Sequence, residues 1–268
     1  MKNLVFTALF LISLNGISQE NIPFREHTKI VKNAISKDII YPKRQKLISD
    51  SLVITKDSLD ANFVPFLKDK KLNSRYKYHA FGNKNIKFIR QWNVPIRVYF
   101  DEQLPKDIKQ SLTDYLKKFN SINNLNVSTT KNIENSNYYL KVYKEHVSAY
   151  TDKDYKTLTK EEIETEIYSG ITYDLNCNYN FKCTSGVIKI SNSELKNRYL
   201  LSKLKIIFYL SLTDFYRSNY AEKESLLNKK TINAKHLTDY DILLLKNHYN
   251  YIYPYKVNLT SYKSLLKL

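Results

Sequence analysis

Residues 186–215, GVIKISNSELKNRYLLSKLKIIFYLSLTDF, limit the possible folds more than any other stretch. The first part reads as a strand. After it, Leu200, Leu204, Ile207, Phe208, Ser211 and Phe215 recur at spacings of three and four, which places them on one face of a helix. Ser191 ends the strand and can cap the helix, with Glu194 three residues on as its capping-box partner. Ser211 is the polar member of the stripe, and Asp214 stands where the helix should end. A strand feeding straight into so apolar a helix requires a sheet for that helix to lie on.

The upstream chain supplies such a sheet. In NVPIRVYF, Ile96, Val98 and Phe100 alternate with Arg97 and Tyr99, the period of a half-buried strand. LPKDIKQSLTDYLKKFNSI follows as a helix, with Pro105 suited to its first turn and Ile108, Leu112, Tyr115, Leu116 and Phe119 as its stripe. Strands are expected around Tyr138–Tyr143, Gly170 and Gly186, and a charged surface loop between Asp152 and Glu166. Downstream, HLTDYDILLLKNHYN opens a helix on Thr238, with Asp241 as capping-box partner and Leu237 against Ile242 as a staple. Asp239 and Asp241 then serve the first helical turn rather than catalysis. The order implies an α+β domain with a mixed sheet.

The N-terminal MKNLVFTALFLISLNGIS places Lys2 ahead of an apolar run from Leu4 to Leu14 and a small-residue end, which reads as a secretory signal peptide cleaved near Ser18. The run is shorter than the roughly 20 residues that a membrane span needs. We therefore expect export to a periplasmic or secreted location with no transmembrane segment in the mature chain. Residues 19–80 read as an extension of unknown role, and 81–268 as the main domain. The chain's two cysteines, Cys177 and Cys183 in CNYNFKC, are expected to form a disulfide in that compartment. Zinc binding by this pair would leave further ligands unfound, at a spacing wider than paired thiolates usually show.

The formal net charge is +17, from 43 Lys and Arg against 26 Asp and Glu. It suggests attraction to anionic surfaces. Abundant Lys, Asn, Ile and Tyr beside 4 Gly and 1 Trp also match the codon supply of an AT-rich genome, so solvated lysines explain much of the charge.

The motifs together resemble a zincin-type domain, the fold of metzincin-like zinc peptidases. IRQWNVPIRVYFDE, with Trp92, is similar to that fold's opening strand, and GVIKIS to the strand before its active-site helix. Ser225, Leu226, Leu227 and Asn228 occupy the place of the Met-containing turn, and HLTDYDILLLKNHYN resembles the closing helix. The resemblance implies a zincin-like mixed sheet with a long former active-site helix and a C-terminal helix. Zinc chemistry there needs His-Glu-x-x-His, two imidazoles on one helical face with a Glu to polarise the bound water. The corresponding window, residues 207–211 or one residue along, offers Ile207, Phe208 and Ser211 instead. The pattern also resembles an exported bacterial family of unknown function with degraded zincin motifs. What it implies is a zincin-like fold without demonstrated activity, with no catalytic residues, metal or other cofactor at this site, whose old cleft either binds a peptide or glycan or is simply filled.

Two other functions compete with that expectation. A hydrolase with a non-standard site could use some of His27, His79, His146, His236 and His248, but none has a second ligand at metal spacing on its own element, and no Gly-x-Ser-x-Gly elbow occurs. A basic binding module for anionic polymers could use the interleaved Tyr and Lys of NYYLKVYKEH and NHYNYIYPYK.

Overall fold

In a computed structural model of the chain, the described residues are 69–147 without 83 and 85, residue 159, and 166–266 without 234, 235, 254 and 255. The expected signal peptide, most of the extension and nearly all of the charged stretch 152–166 lie outside them.

The chain enters through helix α1, Lys70–Phe81, capped by Asp69, whose carboxylate accepts from the Leu72 N–H. This helix crosses the boundary drawn at residue 80, and Tyr76, Ala80 and Phe81 join the core. Strands β1 (Gln91–Trp92) and β2 (Ile96–Phe100) follow, then helix α2 (Lys106–Lys117). Next come β3 (Val127–Thr130), β4 (Tyr138–Tyr143), β5 (Ile171–Cys177) and β6 (Lys182–Ser191). Helix α3 runs Leu200–Thr213, α4 Asp239–Lys246 and α5 Leu259–Leu265. The domain is α+β, with a mostly parallel mixed sheet.

Strand β6 is the hub of that sheet. It pairs in parallel with β4 and β1 and antiparallel with β5, while β4 continues in parallel to β2 and β2 to β3. Along β4, Tyr138, Leu140 and Val142 are buried and alternate with half-buried Tyr139, Lys141 and Tyr143, so the main core lies on one face. Helices α2 and α3 share that face: the Tyr115 hydroxyl donates to the Lys205 carbonyl (3.1 Å), and the Phe119 and Phe208 rings lie 5.6 Å apart. Gly186 admits the Tyr138 ring, since a Cβ there would lie 3.0 Å from it and 2.9 Å from the Leu175 side chain.

The expected strands and the α2 and α4 helices form, including the Thr238–Asp241 capping box. Strands β1 and β3 are additional.

Two expectations are corrected at α3. Ser191 and Glu194 make no capping box; residues Asn192–Lys196 form a 3-10 turn, and α3 starts only at Leu200. The Ser191 hydroxyl instead accepts from the Val147 N–H (2.7 Å), and Glu194 pairs with Lys203 (2.9 Å), whose side chain is 1% exposed. A buried ammonium without that carboxylate would cost several kcal/mol, more than the roughly 1 kcal/mol of a typical cap. Nor is α3 amphipathic. Lys203, Lys205, Ile206, Tyr209, Leu210 and Leu212 are buried as well as the stripe, because the C-terminal segment covers the side opposite the sheet.

Candidate functional site: a filled helix and its polar rim

Phe208 projects from α3 between Phe119 of α2 and Tyr138 of β4, with ring centroids 5.6 and 5.3 Å away. One turn on, the Ser211 hydroxyl accepts from the Tyr138 hydroxyl (2.6 Å) and donates to the Phe208 carbonyl (2.7 Å). The Trp92 indole N–H donates to the Ser211 carbonyl (3.3 Å), and its ring packs 5.4 Å from Tyr138. Ile207 is fully buried. Burial drives the Tyr138 phenol far above its ordinary range, so it remains a hydroxyl donor. An aliphatic chain, a phenyl ring and a hydroxyl already committed to two hydrogen bonds form no donor set for zinc. Among the described residues no three His, Cys, Asp or Glu side chains are grouped as a metal ion would require.

Phe208 and Ser211 are therefore directed at the sheet and α2. The residue of α3 that reaches the closing helix is Tyr209, whose hydroxyl donates to the Asp241 carbonyl (3.0 Å), with Thr213 one turn further bonded back to the Tyr209 carbonyl (3.2 Å). Sequence spacing picked out the more apolar stripe and missed this one, because tyrosine and threonine count equally well as surface residues.

The turn Ser225–Asn228 is tied to α4 by a single carboxylate. Asp241 accepts from the Ser225 hydroxyl (2.5 Å) and the Leu226 N–H (3.2 Å) while also accepting from the N–H and hydroxyl of Thr238 (3.1 and 2.9 Å). Desolvation raises its pKa above the usual carboxylate value, against the pull of those hydrogen bonds. Leu226 and Leu227 are fully buried. Asn228 donates to the Ala221 carbonyl (2.8 Å), and Arg217 closes the turn from outside on the carbonyls of Leu226, Asn228 and Thr231.

A polar rim marks the end of α3. Asp214 closes the helix in the left-handed region (φ 53°), which Asp tolerates better than most residues, and its N–H donates to the Leu210 carbonyl (2.6 Å). Lys87 donates to the Asp214 carbonyl (2.6 Å), lies 3.4 Å from its carboxylate and sits 4.1 Å over the Tyr216 ring. Tyr173 of β5 donates to the same carboxylate (3.3 Å), and Arg90 stands 3.9 Å away. Burial lowers the Lys87 pKa, partly offset by Asp214. Two cations here face one carboxylate and the negative end of a helix dipole, so the cluster is close to charge-balanced.

The histidines do not converge on a catalytic arrangement. His146 and His236 are exposed, and His27 lies outside the described residues. His79 and His248 are buried, and each bridges a backbone carbonyl and a tyrosine. His79 Nδ1 meets the Tyr216 carbonyl (2.6 Å) and its Nε2 the Tyr240 hydroxyl (2.9 Å). His248 Nε2 meets the Arg90 carbonyl (2.7 Å) and its Nδ1 the Tyr76 hydroxyl (2.9 Å). A carbonyl only accepts, so in each ring the nitrogen facing it carries the hydrogen and the other accepts from tyrosine. Desolvation lowers both pKa values, that of His248 to about 3.

The tyrosines picked out as a binding platform divide differently from expectation. Tyr138 and Tyr249 are core residues, and Tyr139, Tyr143 and Tyr253 are half-buried. Cys177 and Cys183 are disulfide-bonded. Among the described residues no helix is long and apolar enough to cross a membrane. Compared with protein-family models, with curated proteins and with solved structures, the chain matches none.

Proposed function

We propose that this is an exported, zincin-like protein that works by binding rather than by metal-dependent hydrolysis, with a peptide or glycan as its ligand. One observation carries the reading: Ile207, Phe208 and Ser211, which stand where the resemblance puts metal ligands, belong to the hydrophobic core and its hydrogen bonds. The zincin-like reading is supported by the succession of opening strand, helix, strands, long helix, tight turn and closing helix. The Asp241 bridge supports it further, since it ties the Ser225–Asn228 turn to the closing helix. A ligand in this reading lies along the rim where β5 meets the end of α3, at Tyr173, Asp214 and Arg90. These side chains are partly exposed, whereas the helix interior has no room.

Purified protein, equilibrated with zinc and then dialysed, should retain well under one equivalent by elemental analysis and show no chelator-sensitive cleavage of casein. Stoichiometric retained zinc, or proteolysis abolished by a chelator, would overturn the proposal.

A further inference from the structure

A second surface, at the tip of the β5–β6 hairpin, rests on side chains other than those of the α3 rim. The Cys177–Cys183 disulfide closes this tip. Within it the Asn178 side-chain oxygen accepts from the N–H groups of Asn180 and Lys182 (2.9 and 3.1 Å), and the Asn178 carbonyl from the Phe181 N–H (2.9 Å). The loop is thus cross-braced before any ligand arrives.

Two aromatic residues stand out on this tip. Phe181 is held at φ 60°, a left-handed conformation that glycine or asparagine adopts cheaply and a bulky aromatic residue does not. The last residue of a three-residue hairpin loop ordinarily adopts this conformation, so the turn itself sets it, and what is unusual is the aromatic side chain placed there. Here the backbone lays the Phe181 ring flat on Phe88, with centroids 4.9 Å apart and planes 14° off parallel. The exposed Lys256 holds its ammonium 4.9 and 5.4 Å from the two rings. The second is Tyr179, which is 68% exposed on the braced loop.

The two stretches of chain that build this platform carry only positive charges of their own. Neither CNYNFKC nor the facing stretch KNIKFIR, residues 84–90, contains an acidic residue. Lys87 and Arg90 are engaged by Asp214, whereas Lys84 and Lys256 have no acidic partner among the described residues. Aromatic faces beside unpaired ammonium groups suit a ligand with flat apolar faces and repeated negative charges. A sugar ring carrying a carboxylate has both. A membrane surface fits less well, since Tyr179 and Ile86 are the large apolar side chains that stand out here, without the amphipathic helix that interfacial binding uses.

We infer that the disulfide-braced tip, with Tyr179, the Phe88–Phe181 stack and Lys256, is a binding site for acidic polysaccharide, the sugar face lying on the rings and its carboxylates meeting Lys256. The site uses none of Tyr173, Asp214 and Arg90, so variants at the tip test it separately from the rim.

The test measures binding of the full chain to polygalacturonate at fixed low salt, with neutral dextran and anionic phospholipid vesicles as comparison surfaces. Tyr179→Ala and Lys256→Ala change exposed side chains and should leave the fold intact, which circular dichroism checks. Each should weaken polygalacturonate binding about tenfold, while Lys131→Ala, an exposed lysine elsewhere, changes it less than about twofold. Dextran should not bind. Equal losses in Lys256→Ala and Lys131→Ala, with none in Tyr179→Ala, would reduce the effect to net charge and overturn the site. So would vesicle binding in place of polysaccharide binding, or no binding to polygalacturonate.

Discussion

On the side of α3 that meets the sheet, Phe208 and Ser211 sit among the rings of Phe119, Tyr138 and Trp92, and shape complementarity does most of the holding. On the side that meets the C-terminal segment, Tyr209 reaches the Asp241 carbonyl, and Tyr249 donates to the carbonyl of Leu212 (2.5 Å). Around that second side the contacts run through His79, His248 and Asp241, which titrate or carry charge. One helix is therefore held on one face by rings and by hydroxyl and indole hydrogen bonds that do not titrate near neutral pH, and on the other through contacts that involve titratable groups. The first face should be indifferent to pH, and the second should not.

The largest effect is expected on the packed face. Phe208→Ala should cost about 3–5 kcal/mol, from lost burial plus the cavity left between α2 and β4, read as a lower urea midpoint at constant slope. The loss should be the same at pH 7 and pH 5. A strongly pH-dependent loss would break the contrast between the two faces.

Removing the shared carboxylate should cost somewhat less. Asp241→Ala leaves the Ser225 hydroxyl, the Leu226 N–H and the Thr238 cap without their acceptor, for a loss of roughly 3 kcal/mol. Amide exchange should speed up first at residues 225–231. Unchanged exchange there would show that the turn is held by Arg217 and the buried leucines instead.

The smallest effect is the pH dependence of the polar face. Unfolded histidine titrates near 6.5, while His248 is held near 3, so the folded state binds fewer protons between those values. Its contribution is complete above pH 6.5 and is lost as pH falls toward 3, amounting to about 2 kcal/mol between pH 7 and pH 5. His79 shifts in the same direction. Asp241 has the opposite sign, because a raised carboxyl favours the folded state as pH falls through its folded value toward 3.8. The urea midpoint should therefore drop between pH 7 and pH 5, and His248→Gln should flatten most of that slope. An unchanged slope in this variant would move the acid sensitivity elsewhere.

The difference between the faces also explains what could be read in advance. Spacings of three and four exposed the stripe of Leu204, Ile207, Phe208 and Ser211, because apolar burial leaves a periodic trace. Tyr209, Thr213 and Tyr249 left none, since each is amphipathic and its burial depends on a partner far away in the chain. The Thr238–Asp241 box was readable because its members are three residues apart, yet the same local logic at Ser191 and Glu194 failed. There Lys203 claims the glutamate, and a buried cation with one available carboxylate outweighs a cap. Strand β3 went unread for a related reason: in VSTT only Val127 is buried, so a four-residue edge strand carries almost no alternation.

By itself the sequence determined the strands β2, β4, β5 and β6, the helices α2 and α4, the Cys177–Cys183 pair and the residue types at positions 207, 208 and 211. These depend on residue type and short-range spacing. Only the tertiary structure decided that α3 is buried on every side, that one aspartate serves both a helix cap and a distant turn, and that Phe181 lies against Phe88 beneath Lys256. Those outcomes follow from contacts between segments up to 150 or more residues apart, such as Gln91 with His248, which local periodicity cannot encode.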